Sequence, residues 1–558
     1  MRKVSGTYTH LTLFLLLAGI LVAGLPAGVS ASPEVVEVYP DTYADGDAGE
    51  YVGIDTDGTN LTDWSVTDGE DTVRLRARDY EDEDRLYLGS ENAQREAGVD
   101  TDAGLGLALA NSGDEVRLVN PEGEAVDEVV YGEDKRLDPN EGDILVKEDG
   151  DWEIRTLGAT DFEYADFDAD SVTGFVAPDS SAEAVSRVIE SADERILVSG
   201  YEFDSEYIAR LLTEAEEKGV EVEVLVEGSP AGGFESDDSE VLGSLSSDGI
   251  EVDVVEGDRK RYRFVHAKYI VVDSERAVVT SENWVSHSVS PEATGPRGWG
   301  IVVEDDEVAG TLSRVFRNDT DEDWYSVKNW SESSPSRIEG TVEEGENSEY
   351  ESPRTDFGTE TFDDADVGVV LSPDSSVDPV VEMIDSADET VYVQQAYIRD
   401  PETNPYLNQV VEEAREGTQV RVLLDGRWFT REENSEIADR LNSIGDEDGV
   451  DIEARVSETP VHNKGVVVDG EEVLVSSINW NLNSINNNRE VGVIVDDNET
   501  ASYFETVFES DWETSEDTRT SPRSGTVPGL VRPNIVEILL ILITAGISIW
   551  LGLKYVYD

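Results

Sequence analysis

Two stretches far apart in the chain follow one polar grammar, and no other feature constrains the fold as strongly. The first reads Val265-His266-Ala267-Lys268-Tyr269-Ile270-Val271-Val272-Asp273 and continues to Thr280-Ser281-Glu282-Asn283-Trp284. The second reads Val461-His462-Asn463-Lys464-Gly465-Val466-Val467-Val468-Asp469 and continues to Ser476-Ser477-Ile478-Asn479-Trp480. Each is His, any residue, Lys, four residues, Asp, six residues, a small residue, Ser, any residue, Asn. The whole chain holds only 4 histidines, so a repeat built on two of them is not a compositional accident.

The spacing has a physical meaning. Residues two apart on a strand point to the same face, so His266 and Lys268 share one face, as do His462 and Lys464. The β-branched runs that follow suit strands buried on both sides. Each strand turns through acidic or glycine residues into a second apolar run, which presents Ser281 and Asn283, or Ser477 and Asn479. Imidazole, ammonium, hydroxyl and amide groups from two copies converging on one cleft would suit a phosphate. Cations and donors would hold its oxygens, and histidine would do covalent and proton-transfer work.

The doubled pattern resembles the phospholipase D superfamily over roughly residues 170 to 515. The resemblance implies a duplicated α/β core, each half a mostly parallel sheet flanked by helices, with one active site at the pseudo-twofold junction. It implies phosphodiester cleavage without metal or other cofactor, one histidine forming a phosphohistidine while the other protonates the leaving oxygen. By the same resemblance His266 is the nucleophile and His462 the acid and base. Lys268, Lys464, Asn283 and Asn479 hold phosphate oxygens. Asp273 and Asp469 complete the motifs, although turn formation suits them better than chemistry. Ser281 and Ser477 are either phosphate donors or turn formers. Family members often carry an acid after each Asn that orients the histidine of the same half. Glu490 fills this place in the second half, but Gly298 stands at the matching position of the first, leaving Glu292 or a backbone carbonyl as substitutes.

Acid dominates the composition: 125 Asp plus Glu against 41 Lys plus Arg, a net charge of −84. The acid is interleaved with apolar periodicity, and residues AVILMFWYC make up 38%, which argues against wholesale disorder. Acid spread evenly, with scarce lysine, fits an organism of concentrated salt better than a block-like acidic tail. In dilute buffer such a surface repels nucleic acid and anionic membranes. In molar salt the Debye length falls to about 3 Å, and local contacts decide. With 0 Cys, disulfide frameworks and thiolate metal sites are excluded.

In chain order, residues 1–31 read as a secretory signal with Arg2 and Lys3 before an apolar core and Val29-Ser30-Ala31 as cleavage site; an uncleaved anchor is the alternative. His10 lies within it. Residues 33–155 show short alternating runs and Asp-Gly turns, an all-β sandwich. Glu50–Ile54, Leu61–Ser65, Leu109–Leu118 and Gly123–Tyr131 resemble the immunoglobulin-like lamin-tail domain, with Trp64 in its core. This likeness offers no catalytic residues and implies a binding or spacing role. Residues 170–327 and 363–515 form the two halves, with an acidic linker at 328–362. Residues 516–534 make a stalk, and 535–553 an apolar run of transmembrane length ahead of Lys554. The predicted layout is a single-pass membrane protein with its catalytic region outside and a short cytoplasmic end.

Two clusters mix cations with aromatics, Arg259-Lys260-Arg261-Tyr262-Arg263-Phe264 and Arg427-Trp428-Phe429-Thr430-Arg431. They suit nucleic acid, a phospholipid headgroup, or ordinary salt bridging. His287 reads as a surface loop residue. Three functions follow: a tethered phosphodiesterase acting on phospholipids, an extracellular nuclease with the same chemistry, or a cell-surface binding protein that no longer turns over.

Overall fold

The computed structural model describes residues 32–515 apart from 43–48, 77–84, 91–92, 94–103, 133–134, 140–141, 149, 161, 231–232, 234–235, 257–260, 321–326 and 331–356. The signal, stalk and apolar tail expected at 1–31, 516–534 and 535–553 lie outside the described residues, as does most of the linker. Among the described residues no helix is long and apolar enough to cross a membrane.

The chain divides into two units, Met1–Leu157 and Gly158–Asp558. The first is built from two antiparallel sheets. Strands β1 (Glu34–Tyr39), β2 (Tyr51–Asp55), β5 (Arg85–Gly89), β8 (Asp143–Glu148) and β9 (Asp151–Thr156) lie in the order β5-β2-β1-β8-β9. Strands β3 (Ser65–Thr67), β4 (Thr72–Arg74), β6 (Gly113–Val119) and β7 (Ala125–Gly132) lie in the order β4-β3-β6-β7. Alternate residues of both sheets share one core: Val35, Val52, Ile54, Leu86 and Leu88 from the first meet Val66, Val116, Leu118 and Tyr131 from the second. That is sandwich packing. Trp64 is only partly buried and packs against the rim of this core.

The second unit is organised by a single 15-stranded sheet. Its first half runs β10 (Ala165–Ala177), α1 (Ser181–Glu190), β11 (Arg195–Gly200), α2 (Glu206–Glu216), β12 (Glu221–Glu227), α3 (Ser236–Ser247), β13 (Glu251–Val255), β14 (Tyr269–Val272), β15 (Arg276–Thr280), β16 (Gly298–Glu304), α4 (Asp306–Asp319) and β17 (Val327–Asn329). The second half repeats the plan: β18 (Glu360–Ser372), α5 (Val377–Asp385), β19 (Thr390–Gln395), α6 (Pro405–Glu416), β20 (Gln419–Leu424), α7 (Arg431–Ile444), β21 (Ile452–Val456), β22 (Lys464–Val468), β23 (Glu472–Ser476), α8 (Leu482–Asn486), β24 (Glu490–Asp496) and α9 (Asn498–Thr514). Local signals set these limits. Asn404 caps α6 by accepting from the Leu407 N–H at 3.1 Å, and Gly417, at φ 118°, ends it in the left-handed conformation.

One expectation fails. Only the pairs β11–β12, β12–β13, β19–β20 and β20–β21 are parallel; the rest of the sheet is antiparallel, so it is mixed rather than mostly parallel. The reason lies in connection length. Where a helix returns the chain the strands run parallel, whereas the short turns after Asp273 and Asp469 admit only antiparallel hairpins. The halves join through the two long strands β10 and β18, paired from Ala165 opposite Val369 to Gly174 opposite Glu360. One sheet face is covered by α1, α2 and α3 in the first half and by α5, α6 and α7 in the second. The other face carries a core shared by both halves, with α4 and α9 laid across it. Burial on both faces explains the unbroken Val and Ile runs.

Candidate active site

The two histidine segments are exchanged between halves. Just before each histidine the backbone leaves its own half and zips against the arginine that precedes β16 or β24 in the other half. His266 N donates to Arg489 O at 2.9 Å and Arg489 N to Phe264 O at 2.9 Å; His462 N donates to Arg297 O at 2.8 Å and Arg297 N to Pro460 O at 2.9 Å. Each imidazole is thereby carried to a carboxylate of the opposite half. Nδ1 of His266 lies 2.8 Å from Glu490 Oε2, and Nδ1 of His462 lies 3.3 Å from Glu282 Oε1.

This corrects the expected pairing of each acid with the histidine of its own half. Glu490 serves the first-half histidine. His266 therefore needs neither Glu292 nor a carbonyl, and the acid beside His462 is Glu282, the variable residue of the Ser-x-Asn triplet. Glu282 is buried, and its Oε2 also accepts from Ser288 Oγ at 2.7 Å. Glu490 is buried too and collects two further donors, Ser477 Oγ at 2.5 Å and Asn488 Nδ2 at 3.0 Å.

Other motif residues take varied places. Lys268 and Lys464 are fully buried, each bonded to the carbonyl of its own histidine, and Lys464 Nζ reaches Ser281 O at 3.4 Å. Asn283 donates to Glu202, and the carboxamide oxygens of Asn283 and Asn479 are buried with no hydrogen-bond partner among the described residues. Ser281 Oγ accepts from Trp299 N at 3.1 Å and so fastens a turn, while Ser477 Oγ accepts from Val491 N at 3.1 Å and holds Glu490. Asp273 and Asp469 follow the last residues of β14 and β22, at the strand ends away from the histidines. Asp273 accepts from the N–H groups of Asp193, Glu194 and Arg195, and Asp469 from those of Asp388, Glu389 and Thr390. Both sit at positive φ. Their placing among the catalytic residues is corrected: they bind the turn to the neighbouring strand. His287 is exposed in the loop after Asn283.

The electrostatics describe a site short of negative charge. Burial lowers the His266 imidazole to about 4, with Lys268 and Lys464 adding to the effect and Glu490 opposing it. Burial, Lys464, Arg427, Lys268 and His266 push His462 well below the usual histidine value. Burial brings Lys268 down to about 8 despite Glu490, Glu202 and Glu282, and burial together with Lys268 holds Lys464 well below the ordinary lysine value. The two carboxylates diverge. Burial raises both, but His266, Lys268 and Asn488 outweigh it and leave Glu490 low, whereas Glu282 stays raised against Lys464 and Ser288. An anion entering such a site would relieve both lysines and favour protonation of the imidazoles.

Several contributors carry no motif signal. Arg489 and Arg297 are buried and pin the exchange: Arg489 binds Asp319 of α4 at 3.0 Å and Asp374 at 2.6 Å, and Arg297 binds Asp511 of α9 at 3.0 Å and Asp179 at 3.4 Å. Tyr201 stands edge-on to the His266 ring at 4.7 Å. Burial, then Asp238, raises Glu202 to about 7. Of the first cation–aromatic cluster, Arg261 and Tyr262 are buried beside Asn318 and Asp319. They are structural, which removes stacking on Tyr262 as a recognition device. In the second cluster Trp428 is 70% and Phe429 46% exposed, whereas Thr430 is buried.

Residues 185–320 and 380–512 match a family model described as cardiolipin synthase, PLD-like domain. The chain carries a phospholipase D-like domain. The two matched segments of that domain fall in the two halves of the sheet, one histidine–lysine motif in each. Among solved structures the chain is similar to phosphatidylserine synthase of Haemophilus influenzae, at 14% identity over 64% of this chain and 89% of that one, TM-score 0.48. It is also similar to polyphosphate kinase of Porphyromonas gingivalis, at 12% identity over 62% and 50%, TM-score 0.39. A third is a phospholipase D family member of Salmonella typhimurium, at 17% identity over 30% and 98%, TM-score 0.24. No curated protein gives a significant match.

Proposed function

We propose that the chain is an exported, membrane-tethered phosphodiesterase of phospholipase D type that acts on phospholipids through a phosphohistidine. The observation that supports this best is the exchanged pair of imidazoles: Nδ1 of His266 is hydrogen-bonded to Glu490, and Nδ1 of His462 lies 3.3 Å from Glu282 Oε1, which has no hydrogen-bond partner among the described residues. With Nδ1 turned to a carboxylate, Nε2 of each ring is left to face substrate.

In this reading neutral His266 attacks phosphorus through Nε2 while the ester oxygen departs. His462, protonated once the substrate's negative charge has entered, gives its Nε2 proton to that oxygen. A water then loses a proton to His462 and its oxygen attacks the phosphohistidine, freeing His266 and a phosphomonoester. Lys268, Lys464, Asn283 and Asn479 hold the non-bridging oxygens throughout. The ionised Glu490 behind His266 suits a nucleophile that gains positive charge, and this supports the assignment of roles.

A lipid substrate is favoured by the rim of the site. Arg427 donates to Val461 O at 3.1 Å, beside His462, and Asp425 holds Arg427 at 2.9 Å and Thr430 at 2.6 Å. This fixed turn projects Trp428 and Phe429 outward, an amphipathic indole of the kind found at membrane interfaces beside an apolar ring. The signal, the C-terminal apolar run, the lamin-tail-like role of the first unit and life in concentrated salt belong to the same proposal, carried by the sequence.

The test is a substrate panel in molar KCl: phosphatidylglycerol vesicles, single-stranded DNA and duplex DNA. Release of a lipid headgroup supports the proposal, cleavage of DNA alone would move the chain to the nucleases, and turnover of neither would leave a binding protein. Product formed in EDTA at an undiminished rate supports the metal-independent route; its loss would overturn that part.

A further inference from the structure

The halves depart from each other at two linked positions. Where the second half has Ile478 between Ser477 and Asn479, the first has Glu282 between Ser281 and Asn283. Where the second half opens β24 with Glu490, the first opens the matching β16 with Gly298. The registers make these true equivalents: Ser281 N donates to Trp299 O at 3.0 Å just as Ser477 N donates to Val491 O at 2.9 Å.

The space is shared as well. A Cβ built on Gly298 would lie 2.6 Å from the Glu282 carboxyl carbon. No side chain fits there while Glu282 holds its position, because such an approach falls far inside van der Waals contact. The Glu282 carboxylate thus fills the volume that a side chain at 298 would take, and from there it meets His462 Nδ1 at 3.3 Å.

We propose that Glu282 is the positioning residue of His462, a carboxylate supplied from the Ser-x-Asn turn in place of one at 298, and that glycine at 298 is the vacancy it requires. The acid reaches one spatial site from two backbone positions, one in each half. Glu282 fixes the Nδ1–H tautomer of His462 and supports the imidazolium when it forms. It works against the cations facing the ring, Lys464, Arg427 and Lys268, and beside the neutral His266. Burial raises Glu282 against Lys464, Ser288, His287 and Arg427, in contrast to Glu490 behind His266, which is held low.

This inference rests on the two-histidine reading for its catalytic meaning, but its test does not need turnover. In the full chain labelled with ¹⁵N-histidine, only 4 imidazoles give signals, and His462 can be assigned by replacement. The parent should show His462 in a single tautomer with the proton on Nδ1. Glu282→Ile, which copies the second half, should mix the tautomers, and Glu282→Gln should lower the ring's titration; His266 should change in neither. The double variant Glu282→Ile/Gly298→Glu should restore the tautomer. With bis(p-nitrophenyl) phosphate, Glu282→Ile should lose kcat by about 100-fold with KM nearly unchanged, and the double variant should regain about tenfold. An unchanged His462 spectrum in Glu282→Gln, or a double variant no closer to the parent than Glu282→Ile, would overturn the proposal. A parent without phosphodiesterase activity would refute the function and leave the spectra to decide Glu282.

Discussion

Around His266 the chemistry turns on a few atoms. Its imidazole is neutral at ordinary pH because burial and two lysines outweigh one carboxylate, and neutrality is what a nucleophile needs. Replacing Glu490 with Gln removes the charge that stabilises the ring as it becomes cationic. Phosphohistidine formation in rapid-quench experiments should fall by about 10- to 100-fold. Lys268 gives a pH dependence of defined sign. Burial brings its amine down to about 8, below the ordinary lysine value, so the folded chain disfavours the charged form and gains stability as pH rises from about 8 towards the unfolded lysine value of about 10.4. Anion binding runs the other way, since tungstate or phosphate needs the ammonium. Their affinity in calorimetry should weaken by roughly tenfold per unit above pH 8, and Lys268→Met should abolish the slope. Asp273 was legible as a turn residue, and the structure shows why: its carboxylate takes three backbone N–H groups at the strand end away from His266. Asp273→Asn should keep kcat within a few-fold and lose about 1–2 kcal/mol in urea denaturation.

Among the elements, the strands and helices of the second unit were readable because each is a local decision. Alternating strand and helix, caps such as Asn404 and the runs Tyr269–Val272 and Lys464–Val468 are written in neighbouring residues. Strand direction was not, since a short hairpin and a helical crossover leave similar apolar runs. The segments before the two histidines carry no such local signal, because their ladders form with residues of the other half. Arg489 and Arg297 hold this exchange with α4 and α9. Replacing Arg489 with Ala leaves Asp319 and Asp374 as uncompensated buried charges, and chemical denaturation should show a loss of about 3–5 kcal/mol. Lysine should rescue little of it, because a single ammonium cannot reproduce the guanidinium fork.

For the whole molecule, a net charge of −84 means that self-repulsion opposes the compact state in dilute buffer. Raising ionic strength from 0.1 M to 1 M shortens the Debye length from about 10 Å to about 3 Å. The melting temperature should therefore climb steeply with KCl, and a flat profile would count against adaptation to salt. The duplication itself, the two-histidine grammar, the β-rich first unit and the acidic surface were all fixed by residue type and spacing along the chain. The pairing of carboxylates with histidines was decided only in three dimensions. His266 is separated from Glu490, and Glu282 from His462, by most of a domain, so no periodicity links them. They meet because the short segment before each histidine pairs with the other half while the strand that follows stays in its own, and because an absent side chain at Gly298 leaves room for Glu282.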